Sequence, residues 1–298
     1  MKKSIFTLLV LSVFSANTFA LGLGDLKALK DKVGPGATET PKSGSADQGA
    51  KNDTLSSGLG AIGGLLKEET VEEELAVGKT VAAQVLGAAK LHPDQKIQNY
   101  VNLVGRNIAS QSERPDLPWA FGVIDTSSVN AFAAPGGYIL ITKGLFDLLT
   151  TEDELAGVLG HEISHVVKKH QFNVVKKQKL VEFGTKAVSN GNDNDFAKKL
   201  SGMVGEMMAR GLDKSAEYEA DRDGVVLASR AGYDSSALMS VFDKLELKNK
   251  TDASGMKLLF ATHPSPADRR TELVKLVTPE IEAAATPSPA KDRILTVK

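Results

Sequence analysis

An α+β fold, mostly helical with one small antiparallel sheet, is what this sequence predicts, and three observations predict it. Long stretches carry apolar residues at helical spacing and open on capping residues. Only Trp119–Thr142 reads as strand, in three short pieces. The helical stretches flank that β region on both sides, the layered arrangement of α+β domains.

Composition sets the frame. The chain has 298 residues, 42% of them apolar and 24% charged, which is enough for one or two domains with a sizeable core. A net charge of −1 gives no reason to expect nucleic acid as a partner. Cysteine is absent, which excludes disulfides, thiolate metal sites, a cysteine nucleophile and a lipid-modified cysteine.

The elements follow in order. Lys2 and Lys3, the apolar Ile5–Phe14 and Thr18-Phe19-Ala20 form a secretory signal peptide over residues 1–20. Its apolar run is broken by Ser12 and Ser15 and is short for a membrane span, so no transmembrane segment is expected after cleavage. Residues 21–66 read as a flexible leader, with Leu21–Asn52 rich in Gly, Pro, Ser and Thr. Ser57–Leu66 is glycine-rich but lacks the lysine and hydroxyl of a phosphate loop, so it reads as linker.

The folded domain is expected over residues 67–277. Glu68–Lys90 predicts a helix with Val77, Val81, Val85 and Ala88 on one face. Pro93 opens a second helix burying Ile97, Tyr100, Val101, Val104 and Ile108, and His92 reads as a helix-boundary residue. The three strands are Trp119–Ile124, Asn130–Ala133 and Tyr138–Thr142, with Pro135-Gly136-Gly137 as the turn between the last two. Helical pattern continues after His170 to about Ser189, and Asn190–Asp195 is a loop. Phe196–Arg210 is a Met-rich amphipathic helix, read as core filler ahead of a mobile lid. Helices follow at Ala216–Arg230, capped by Gly232, and at Ser235–Leu247. Thr262–Arg270 is a loop feeding a last helix, and residues 278–298 read as a disordered tail.

Within this order, Thr151–His170 carries the chemistry. Thr151 and Glu154 form a capping box, and Leu155, Leu159, Ile163 and Val166 make an apolar stripe. His161 and His165 lie at i and i+4, roughly 6 Å apart along the axis, so both can reach one zinc at about 2.0 Å. Glu162 then stands beside an open coordination position as general base. Two surface histidines would explain the pattern equally simply, but the stripe marks a core helix and the chain has only five histidines. Catalytic zinc takes three protein ligands, and Glu217 supplies the third from the acidic stretch Glu217–Asp221. Asp221, on the same face, would orient one histidine through its free ring N–H, whereas Glu219 points elsewhere. His263 is a candidate oxyanion stabiliser or gating ligand, and Arg269 a brace for its loop. A helix-entry histidine explains His263 as well.

Asn130-Ala-Phe-Ala-Ala-Pro-Gly-Gly-Tyr, His161-Glu-Ile-Ser-His165, Glu217-Tyr-Glu-Ala-Asp221 and His263-Pro…Arg269 occur in this order between about Glu72 and Val277. In these motifs the chain resembles the HtpX/CAAX-prenyl-protease family of zinc metallopeptidases, in its soluble periplasmic BepA/LoiP-like branch. The resemblance implies a gluzincin-like fold, one Zn²⁺ per chain, Glu217 as its third ligand and hydrolysis of peptide bonds. It also implies that Asn130, Ala131, Phe132 and Ala133 form an edge strand that pairs with substrate. In some relatives the histidine matching His263 approaches the metal and restrains activity. The expected location is the periplasm, and the expected substrates are unfolded or misassembled envelope polypeptides. Envelope assembly machinery is a candidate partner, although the sequence has no helical-repeat array of the kind BepA-like proteins use to contact it. The rival reading is a non-catalytic or chaperone-like periplasmic binding protein whose zinc site is closed by four ligands.

Overall fold

The computed structural model describes residues 70–177, 211–263, 265–276 and 292–298. The expected signal peptide, the leader, the loop Asn190–Asp195 and the Met-rich stretch Phe196–Arg210 lie outside them. Helix α1 (Val71–Ala88) starts at Thr70, whose hydroxyl accepts from the Glu73 N–H, and its first turn holds Glu72, Glu73 and Glu74. Helix α2 (Gln95–Ala109) starts at Asp94 and buries Ile97, Val101, Val104 and Ile108, the predicted face. At the junction His92 Nδ1 accepts from the Asp94 N–H at 3.3 Å, a boundary role as expected.

The sheet contains β1 (Ala120–Ile124), β2 (Ala131–Ala134) and β3 (Tyr138–Thr142) in the order β1-β3-β2. Strands β2 and β3 are antiparallel around the turn at Gly136 (φ 76°) and Gly137 (φ 101°), a left-handed backbone that glycine adopts without a Cβ penalty. The sheet is mixed, however, and not antiparallel throughout: β1 runs parallel to β3, with Ala120 opposite Tyr138. A tight turn dictates direction only for the strands it joins. Strand β1 reaches β3 through the 125–130 connection and the intervening β2, and no turn residue encodes that pairing.

Both faces of the sheet are covered. Ile139 and Ile141 face a core built from Val101, Ile108, Phe121, Leu155, Leu159 and Phe242. Tyr138 and Leu140 face a second core with Val77, Val81 and Val85 of α1 and Phe172 and Val175. Double burial explains why the polar–apolar alternation of these strands is so weak in the sequence. The two edges differ. On β1, Gln98 accepts from the Val123 N–H at 2.9 Å and donates to the Val123 carbonyl at 2.8 Å. Asn102 treats Phe121 likewise, accepting from its N–H at 3.1 Å. Side-chain amides from α2 thus stand in for a neighbouring strand, while among the described residues β2 pairs with no strand on its outer side.

Helix α3 (Lys143–Leu148) follows β3 directly, and α4 (Glu152–Val167) follows it with the predicted capping box at Thr151 and Glu154. Helix α4 ends three residues earlier than expected, because Lys169 turns left-handed at φ 58° and restarts the chain in a new direction. Helices α5 (Lys214–Arg230) and α6 (Ala237–Thr251) match the predicted pair, with Gly232 (φ 88°) just past the end of α5. Helix α7 (Ala253–Thr262) has no counterpart in the sequence reading. The loop expected over Thr262–Arg270 is correspondingly short, since α8 (Pro266–Leu276) begins at its proline.

The expected disordered tail is corrected at its end. Residues Arg293–Val297 form helix α9, Ile294 is fully buried, and Arg293 Nε donates to Glu152 Oε2 at 2.8 Å. One apolar and one charged anchor in an Ala/Pro/Thr-rich stretch are too sparse to register as a periodic pattern.

Helices α4 and α5 cross at glycine. A Cβ on Gly160 would stand 2.5 Å from the Gly224 carbonyl oxygen, and one on Gly224 would stand 2.6 Å from the His161 nitrogen. Gly160→Ala is therefore expected to force the helices apart and cost about 1–3 kcal/mol, read as a lower urea midpoint at unchanged slope. Burial works to raise the Glu154 carboxyl, but Lys244, the Thr150 N–H and Ser240 outweigh it and hold it below its ordinary value. A lowered folded-state value means stability that is present at neutral pH and lost as pH falls through it. Glu154→Gln should cost about 1–3 kcal/mol at pH 7. Its deficit against wild type should shrink in acid, as Glu154 itself takes up a proton, which denaturation at a series of pH values measures.

Candidate metal centre and cleft

Residues Glu152–Val166 of α4 are all buried, so His161, Glu162 and His165 sit on an interior helix and not on the surface. The glycine crossing brings α5 close enough for Glu217 and Asp221, one turn apart, to face them. His161 Nε2 and His165 Nε2 approach each other at 3.0 Å. Glu217 Oε2 lies 3.6 Å from the first and Oε1 3.5 Å from the second. His263 ends α7 and points inward, its Nδ1 donating to Glu217 Oε2 at 2.7 Å. One potential ligand atom from each of His161, His165, Glu217 and His263 falls within a 4.8 Å cluster.

The donor set fits a metal ion. Ligands at about 2.0–2.1 Å in tetrahedral array stand about 3.3 Å from one another, close to the separations found. Glu217 Oε1 is buried without a hydrogen-bond partner, an orphan that an ion between the histidines would satisfy. Two imidazole nitrogens facing each other beside an unpaired carboxylate oxygen need a cation or a proton, and hard–soft matching of two nitrogens and one oxygen suits zinc.

Further out, His161 Nδ1 lies 2.9 Å from Asp221 Oδ1, as expected of an orienting carboxylate. Arg269 binds this same carboxylate, Nε donating to Oδ2 at 2.9 Å, and stacks over Phe242 with its guanidinium 4.7 Å from the ring centre. It braces Asp221 and not the His263 loop, a correction that follows from its place on α8: the side chain runs along α5 into the buried negative charge.

Electrostatics in this dry pocket are strongly coupled. Burial works to raise the Glu217 carboxyl, and His263, His165 and His161 together hold it far below its usual range. Asp221 is likewise lowered, to about 2, because Arg269 and His161 overcome its burial. Burial pushes Glu162 upward, with only partial opposition from His161 and His263, so among the site carboxyls this one moves toward neutral pH. His165 is pushed down by burial and by His161, which favours the neutral imidazole that binds metal.

A cleft opens beside Glu162. Ala131, Phe132 and Ala133 of β2 form one wall, and Val81, Val85 and Gln171 another, with Glu217 and His263 at its base. Asn130, read with these three as substrate-binding, lies apart from that wall. It is fully buried, its N–H donates to Thr142 Oγ1, and its carbonyl accepts from the Thr142 N–H. The strand edge beside the site therefore runs over Ala131–Ala133. Val81 and Val85 were legible only as core positions of α1, because a cleft wall and a core face look alike in a periodic pattern.

Comparison with known proteins agrees with this geometry. The profile of peptidase family M48 matches residues 95–277. The chain is 27% identical to the β-barrel assembly-enhancing protease of Escherichia coli over 67% of its own length and 43% of the relative's. It is 30% identical to the metalloprotease LoiP of the same species, over 59% of this chain and 67% of LoiP. A mitochondrial metalloendopeptidase of Schizosaccharomyces pombe is 31% identical over 57% of this chain and 50% of that enzyme. The chain thus spans about half the length, or less, of the assembly-enhancing and mitochondrial relatives. If the four clustered side chains hold a metal, Glu217→Ala should lower metal content after dialysis far more than Glu219→Ala, as atomic emission would report.

Proposed function

The chain belongs to peptidase family M48; we propose that it is a metalloprotease, and specifically a periplasmic zinc endopeptidase. In this reading it cleaves misfolded or stalled cell-envelope polypeptides. The observation that carries the zinc reading is the orphaned Glu217 Oε1 facing His165, with Oε2 toward His161 and Glu162 next to His161 on α4. His161, His165 and Glu217 would hold one Zn²⁺ per chain. Bound there, zinc supplies Lewis-acid activation of a water and of the scissile carbonyl.

The protein's own residues do the remainder. Glu162, its carboxyl raised by burial, removes a proton from the attacking water and returns it to the leaving amine. Asp221, fixed by Arg269, holds the His161 ring in place. The edge of β2 at Ala131–Ala133, unpaired among the described residues, receives an extended substrate segment through backbone hydrogen bonds. That mode of binding is indifferent to most side chains and suits unfolded chains as substrates. The β1 edge, already occupied by Gln98 and Asn102, is no competitor.

His263 acts as a gate in this proposal. Its Nδ1–H engages Glu217 Oε2, the atom of a proposed ligand, which supports restraint of the resting site over an oxyanion role. The same contact supports a second reading, a binding protein whose zinc is closed by His263 as fourth ligand. The periplasmic location rests on the signal-like residues 1–20 and on the bacterial relatives. No helix among the described residues is long and apolar enough to cross a membrane. Envelope assembly machinery enters as a proposed partner through the name of the Escherichia coli relative alone.

The deciding experiment uses Glu162→Gln. Zinc content should be unchanged while turnover of an unfolded protein such as casein falls by roughly 10²–10⁴-fold. Undiminished turnover would sink the mechanism. Intact zinc without proteolysis by the wild-type chain, before and after His263→Ala, would favour the closed-site reading.

A further inference from the structure

His161 and His165 each present Nε2 to the proposed metal, so each has a ring Nδ1 on the far side. Asp221 serves His161. The structure places a different device behind His165. Its Nδ1 lies 2.9 Å from His170 Nδ1, the two rings set edge to face at 72° with centroids 5.1 Å apart. His170 Nε2 in turn lies 3.2 Å from Glu219 Oε2. The other oxygen of Glu219 stands 3.6 Å from Arg222 one turn along α5.

With both rings neutral, the proton arrangement has one self-consistent solution. With the His165 Nε2 lone pair directed inward, its Nδ1 carries the proton and donates to His170 Nδ1. His170 then carries its own proton on Nε2 and donates it to the Glu219 carboxylate. Every ring N–H has an acceptor, and the negative charge of Glu219 is relayed through His170 to His165. With both rings neutral, the opposite tautomer of His165 would either set two acceptor nitrogens against each other or, if His170 moved its proton to Nδ1, turn a bare Nε2 toward the Glu219 carboxylate.

The backbone is shaped for this contact. Five residues beyond His165, a continuing α-helix would carry His170 about 140° around the axis, away from the site. Lys169 instead adopts φ 58°, a left-handed conformation that residues other than glycine adopt at a cost. This kink returns His170 over the end of α4 and onto His165, where its side chain is only 11% exposed.

We propose that His170 and Glu219 are positioning residues that fix the tautomer and ring orientation of His165 and so set metal affinity. The proposal rests on the zinc reading of the site. Its test is titration of the apo chain with Zn²⁺ in competition with a chromophoric chelator. His170→Ala should weaken zinc binding by about 10–100-fold. Glu219→Gln should weaken it less, and the double variant should be no weaker than His170→Ala alone, because Glu219 acts through His170. His170→Asn sets an amide oxygen near the place of Nδ1 and should regain most of the loss, which relief of a packing defect would not do. If His170→Ala fails to fold, Glu219→Gln at the half-exposed end of the relay carries the test alone. Wild-type affinity in both single variants, or additive losses in the double, would overturn the relay while leaving the zinc reading standing. A wild-type chain that binds no zinc would overturn both.

Discussion

The backbone-to-backbone crossing of α4 and α5 at Gly160 and Gly224 is the constraint on which the rest depends. Ordinary helix pairs stand 8–10 Å apart in their axes, a gap filled by side chains. Here the Gly160 position abuts the Gly224 carbonyl directly. That approach lets Glu217 and Asp221, short of any rearrangement, reach two histidines on the neighbouring helix. It also determines which groups lie outside the cluster: Glu219, two residues along from Glu217, emerges at the rim, where it meets His170.

Bringing so many ionisable groups into a dry interior is costly unless each charge is answered. The molecule answers them in separate pairs. Arg269 neutralises Asp221, His263 contacts Glu217, and Lys244 meets Glu154 at the start of the same helix. At the far side Glu152, fully buried, is met by Arg293 and by the Tyr100 hydroxyl at 2.9 Å. Glu162 differs: among the described residues it has neighbours of both signs but no ion pair of its own, and burial raises its carboxyl. A base for water needs that property, and a structural carboxylate does not.

The sheet divides labour in a related way. Backbone groups on the β1 edge are consumed by Gln98 and Asn102, and β3 is paired on both sides, so among the described residues pairing capacity is left only on β2. That edge lies against Glu162. Packing α2 over one edge, with the other bare among the described residues, is what supports the proposed strand addition on the side where the acid–base chemistry is proposed to occur.

The sequence by itself determined the things that depend on neighbours in the chain. These were the cap at Thr151, the i,i+4 histidines, the apolar faces of α1 and α2, the turn at Gly136-Gly137 and the helix end at Gly232. Each is a local preference of backbone and side chain, and each appears where it was expected. The ligand candidates were legible too, because their residue types are scarce and suited to metal. What only the tertiary structure decided depends on elements meeting in space. The parallel pairing of β1 with β3, the docking of Ile294 and the attachment of Arg269 to Asp221 have no local signature. Neither has the return of His170 onto His165, since spacing of five lies off the helix face and only the left-handed Lys169 restores the contact. The separation of Asn130 from Ala131–Ala133 belongs here as well: burial and the bonds to Thr142 are properties of packing, which no periodicity in a single strand can report.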